Sequence, residues 1–127
     1  MSITVAKEQI QCGPDSVWCH ATLPVDSDNA RHPVTLFVWP AHVPEPPMGS
    51  FVYALPYRGR PEKVICTRIF LEHGSIDGAE RLAKTLAVKL NRPVYVGSSL
   101  SGGDGSVEAS VAVVQWITQA INQTERS

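Results

Sequence analysis

The sequence predicts an α+β domain: a mostly antiparallel six-stranded sheet with two helices packed on one face, in the order βββββαβα. Three observations predict it. Five β-like runs come in succession between turn signals, and successive strands usually pair as antiparallel neighbours. The apolar spacing then changes from two to three-and-four, the mark of an amphipathic helix. A last β-like run and a second helical run follow. The chain of 127 residues suits one domain, 1–127.

Each element has its own justification. The strand-like runs cover 3–11, 15–24, 33–40, 50–58 and 63–72. Turn chemistry separates them: Gly13-Pro14-Asp15, Asp26 to Asn29, Pro44 to Gly49, and Arg58 to Pro61. Ile76, Ala79, Leu82, Ala83, Leu86, Ala87 and Leu90 then recur on one helical face. Ser75 or Asp77 can cap that helix, and Glu80 lies three residues beyond Asp77, as in a capping box. Asn91 and Pro93 end it. A sixth strand covers 93–99, and a second helix runs from about 106 to 122. Its stripe is Val107, Val111, Val114, Ile117 and Ile121, widened by Val113, Trp116 and Ala120.

Composition excludes some functions. Eleven basic residues face twelve acidic ones, which argues against nucleic acid as the main ligand. No apolar run approaches the roughly 20 residues of a membrane span. The opening MSITVAKEQI lacks the apolar core of a signal peptide, so the expected location is the cytoplasm or nucleus. Cys12, Cys19 and Cys66 cannot all pair and form no C-x-x-C, so reduced thiols are expected.

The central strands carry the most information, because both of their faces are apolar. A half-exposed strand alternates apolar with polar residues. Six strands spaced ~4.8 Å apart span roughly 24 Å, while two helices ~10 Å wide cover about 20 Å. The helices therefore suffice for one face, and a second protein is the economical cover for the other. The purely aliphatic set is Val17, Ala21, Val34, Leu36, Val38, Val52, Ala54, Ile65 and Ile69. It is assigned to the helices. Trp18, His20, Thr35, Phe37, Trp39, Tyr53 and Arg68 mix aromatic and polar groups and are assigned to partner binding, since interfaces are enriched in aromatics and arginine. The competing arrangement is a monomer with one helix on each face.

Catalytic and ligand motifs are incomplete. The run SSLSGGDGS after the sixth strand has the layout of a phosphate-binding loop, but no lysine follows its glycines. Gly103 and Gly105 supply two glycines of a dinucleotide fingerprint, and Glu108 occupies the third position. G-x-S-x-G fails at Ser101. His20, His32, His42 and His73 have no metal-ligand spacing; His20 is read as a strand residue and the others as loop residues. The proline-rich 40–50 stretch reads as a stiff connection rather than a polyproline ligand. No catalytic residue, metal or cofactor is assigned.

The segment VICTRIFLEHGSIDGAERLAKTLAVKLNRPVYVGSSL (64–100) resembles the proteasome assembly chaperone 4 family. Thr67 in its apolar strand, the Ala79, Leu82 and Ala83 helix pattern, Arg92 at the strand junction, VYVGSSL (94–100) and LFVW (36–39) carry the likeness. It extends over most of 34–121. The proline-rich 40–50 loop and the SGGDGS linker depart from it. The resemblance implies a non-enzymatic chaperone of the 20S core particle, without ATP or metal. It implies pairing, sheet against sheet, with a sister chaperone of the chaperone 3 type. It also implies binding of a proteasome α subunit of the α5 type during α-ring assembly. A homodimer is expected when the chain is isolated. The alternative is a small nucleotide- or phosphate-binding protein or enzyme using the Gly-rich 98–106 loop; a third reading is a dimerisation module of another complex.

Overall fold

The computed structural model describes residues 3–12, 15–24, 33–41, 49–57, 60–100 and 105–126. The element order is the predicted one: β1 (Ile3–Cys12), β2 (Asp15–Pro24), β3 (Val34–Pro40), β4 (Ser50–Tyr57), β5 (Arg60–Phe70), α1 (Ile76–Leu90), β6 (Val94–Ser98) and α2 (Gly105–Arg126). His32, His42, most of the proline-rich stretch and residues 101–104 of the glycine-rich linker lie outside the described residues.

The strands form one mixed, mostly antiparallel sheet in the order β1-β2-β3-β6-β4-β5. Chain order does not set this neighbour order, because β6 inserts between β3 and β4. It runs parallel to β3 and antiparallel to β4. β5 and β6 therefore point the same way, and α1 is the crossover that carries the chain back over β4. Parallel strands need such a long connection, and a helix supplies it.

Both helices lie on one face. Val17, Cys19, Ala21, Leu23, Val34, Leu36, Val38, Val52, Ala54, Val94 and Val96 alternate along β2, β3, β4 and β6 and are buried in a common core. Ile76, Ala79, Leu82, Ala83, Leu86 and Ala87 of α1 fill it from above, with Ala109, Val113, Val114 and Ile117 of α2. Val111, expected in the α2 stripe, is 52% exposed; the stripe is centred instead on Ala109, Val113 and Ile117, four residues apart. Trp116 donates its indole N–H to the Glu8 carboxylate and ties α2 to β1. Cys12, Cys19 and Cys66 form no disulfide with one another. Burial pushes the Cys19 thiol up to about 12, with Cys12 and Glu8 adding to the effect, so at neutral pH it is a small neutral core group.

A buried hydroxyl joins three elements. Ser50 donates to the Glu72 carbonyl at 3.0 Å, accepts from the Glu72 amide at 2.9 Å and meets the Ser75 hydroxyl at 2.9 Å. Ser75 is the N-cap of α1, as expected, but its hydroxyl is engaged here and caps nothing. The expected capping box is absent too, since Glu80 reaches Arg68. Asn91 ends α1 in the left-handed conformation, φ 52°. Ser50→Ala should cost about 1–3 kcal/mol, because it leaves the Glu72 amide without its acceptor; the Glu72 carbonyl keeps the amides of Ser75 and Ile76. The urea midpoint of the purified variant measures this.

Candidate functional site

The site is the sheet face opposite the helices. Alternation is strict: where Val17, Cys19 and Ala21 are buried, Trp18, His20 and Thr22 are only half-buried. The same holds for Thr35, Phe37 and Trp39 against Leu36 and Val38, and for Phe51, Tyr53 and Leu55 against Val52 and Ala54. Among the described residues, no helix or strand lies over this second face.

Register aligns these side chains into rows across the sheet. One row reads Lys7, His20, Phe37, Gly97, Phe51, Phe70. The next reads Val5, Thr22, Thr35, Tyr95, Tyr53, Thr67. Trp18 pairs with Trp39. The rings form a nearly continuous array. Trp18 and Trp39 stack at 6.5 Å, Phe37 and Phe51 at 5.8 Å, Phe51 and Tyr95 at 5.8 Å, and Tyr53 meets Tyr95 at 4.7 Å. Such pairs contribute about 0.5–1.5 kcal/mol each beyond their burial. The Lys7 ammonium lies 5.3 Å from the Trp18 ring and 5.9 Å from the Trp39 ring, within cation–π range.

Gly97 makes the centre of the array possible. Phe37 and Phe51 sit on strands two apart, roughly 9.6 Å by ordinary strand spacing. Their rings lean over β6 and meet above Gly97. A Cβ there would stand 2.5 Å from Phe37 Cδ1 and 3.4 Å from Phe51 Cδ1. The two rings thus take the space that a β6 side chain would occupy, and they shield its backbone.

Six of the seven residues assigned to partner binding share this face: Trp18, His20, Thr35, Phe37, Trp39 and Tyr53. Arg68 does not. It lies on the helix side, where its guanidinium pairs with Glu80 of α1. That hydrogen bond is the main reason the Glu80 carboxyl is held below the usual carboxylate range. β5 thus lies one residue out of phase with its aliphatic pattern, a shift that exchanges the faces. Val64 and Cys66 pack against the core, while Ile65 and Ile69, assigned above to the helices, are 50% and 52% exposed. The aliphatic spacing of 65 and 69 imitates a core pattern, but the pairing of Cys66 with Ala54 fixes the other phase. A register shift at Phe51/Val52 then brings Phe70 opposite Phe51.

Phe51, Tyr95, Gly97 and Lys7 belong to the site and were not among the assigned residues. Alternation within SFVYAL and VYVGS marks the first three, since Phe51 shares parity with Tyr53, and Tyr95 with Gly97. Lys7 emerges only from its register with His20.

A chain from the crystal structure of a chaperone complex for yeast 20S proteasome assembly shares this fold. The TM-score is 0.75 at 21% sequence identity, covering 98% of this chain and 99% of that one. No curated protein sequence matches the chain. The model of one family, described as proteasome assembly chaperone 4, matches residues 31–100. That segment holds β3 to β6 and α1, more than half of the 127 residues, and the chain belongs to the proteasome assembly chaperone 4 family.

Proposed function

We propose that this chain is a non-catalytic subunit of a proteasome assembly chaperone, and that its open aromatic face packs against the sheet of a sister subunit of the chaperone 3 type. The observation that carries the reading is the ring array itself. Trp18, Phe37, Trp39, Phe51, Tyr53 and Tyr95 form one ordered surface that its own helices leave half-exposed. Aromatic anchors of this kind dominate binding energy when a partner excludes water from them. Family membership and the fold shared with a chain of the yeast chaperone complex support the same reading.

The pair binds an α subunit of the α5 type and favours assembly of the α ring of the 20S core particle in the cytoplasm or nucleus. It acts by holding an assembly intermediate and leaving when later subunits compete for the same surface. No cofactor enters this scheme. Without its sister, the chain covers the open face with a second copy of itself. Affinity purification of the tagged full-length chain from cells should recover a sister chaperone together with proteasome α subunits. Recovery of neither, at expression levels where the chain is folded, would overturn the proposal.

A further inference from the structure

A second surface lies on the helix side of β5, away from the aromatic face. Among the described residues β5 is an edge strand whose one pairing partner is β4, so the other side of its backbone offers N–H and C=O groups outside the ladder. Alongside it, α1 leaves an open groove of about 530 Å³ lined by Val64, Lys84, Thr85, Val88 and Lys89. Its floor is apolar, and Val88 is 41% exposed. Its rim carries two cations and, among the described residues, no acid, although the whole chain has a formal net charge of −1. Glu80, one turn before Lys84, is engaged by Arg68.

We propose that this edge and groove receive an extended acidic segment of a partner protein, which adds to the sheet beside β5. Main-chain hydrogen bonds to the edge would supply affinity, and the groove would supply selectivity. Carboxylates two residues apart on one face of a strand stand roughly 6.8 Å apart. Lys84 and Lys89 differ by roughly 7.5 Å in rise and by about 140° around the helix, and their long side chains converge on the groove that both line. Apolar side chains flanking the acids would rest on Val64 and Val88. Because the groove lies behind the sheet, it stays accessible while a sister subunit covers the aromatic face.

The probe is a fluorescein-labelled peptide, Val-Thr-Glu-Thr-Glu-Thr-Val, titrated by anisotropy into the full chain, alone and with the sister subunit. Binding should fall roughly tenfold with Lys84→Glu/Lys89→Glu, with the melting temperature lowered by only several degrees, since an acid at 89 opposes the dipole at the end of α1 and one at 84 repels Glu80. The same variant should instead take the peptide with lysines in place of the glutamates. Methylating alternate backbone nitrogens should weaken the peptide on the wild-type chain to a similar degree, which tests strand addition without relying on any variant. The proposal is overturned if wild type fails to bind the peptide, or if methylation changes nothing. It is overturned equally if heparin or unstructured polyglutamate binds as tightly.

Discussion

Glutamate in place of Phe37 should leave the chain folded and unable to hold a sister subunit. Phe37 sits near the middle of the open face, stacked on Phe51 at 5.8 Å and in register with His20 and Gly97. It is half-buried, and the glutamate in the free chain can stay in water. The fold then loses the ring stacking, about 0.5–1.5 kcal/mol, and about 1 kcal/mol for the half-buried apolar area of the ring. In the complex the same carboxylate would be buried against aromatic rings without a partner. Leaving one charge unpaired at an interface costs about 3–5 kcal/mol, or roughly two to four orders of magnitude in affinity. Light scattering on the mixed subunits and calorimetric titration give the two numbers. Val111→Glu is the control, since Val111 is exposed on α2 and away from the sheet. Equal affinity for the Phe37 variant and the control would remove the aromatic face from the interface.

Gly49→Ala should be among the most destabilising single-methyl additions in the chain. Gly49 enters β4 with φ 74°, a region that side chains with a Cβ rarely adopt. An added Cβ would also fall 2.1 Å from the Ser98 carbonyl oxygen and 2.6 Å from Ser99 Cα. Both obstacles are backbone, so no rotamer change relieves them. The conformational cost of about 1–2 kcal/mol and an overpacking cost of about 1–3 kcal/mol add to roughly 2–5 kcal/mol. That is a large share of the 5–15 kcal/mol typical of a whole domain. A urea titration should show the midpoint drop with little change in slope. Gly97→Ala makes a useful contrast. Its Cβ would meet ring atoms, so the expected damage is displacement of Phe37 and Phe51, felt in partner binding as much as in stability.

The local features of this protein are legible from the chain because they repeat at short range. The period of two along VTLFVW and SFVYAL places Val34, Leu36, Val38, Val52 and Ala54 under the helices. It also places Phe37, Trp39 and Tyr53 on the opposite face. The spacing from Ile76 to Ala87 marks the buried stripe of α1, and Asn91 marks its end. The order βββββαβα follows from the same patterns. So does the surplus of apolar sheet over helical cover, which is a matter of counting widths.

Neighbour order, edge-strand phase and the close approach over Gly97 came only with the tertiary structure. A strand's alternation says which residues share a face, but not which strand lies beside it; α1 had to cross β4 before β6 could separate β3 from β4. On β5, aliphatic spacing favoured the wrong parity, and pairing with β4 together with the Arg68–Glu80 contact settled it. Gly97 stands in the sixth strand of the sequence, and only the register sets it between Phe37 and Phe51. Except on β5 and at Val111 of α2, the sequence alone determined what each element buries, because burial preference is carried residue by residue. The structure decided which elements meet, because pairing depends on hydrogen bonds between segments distant along the chain.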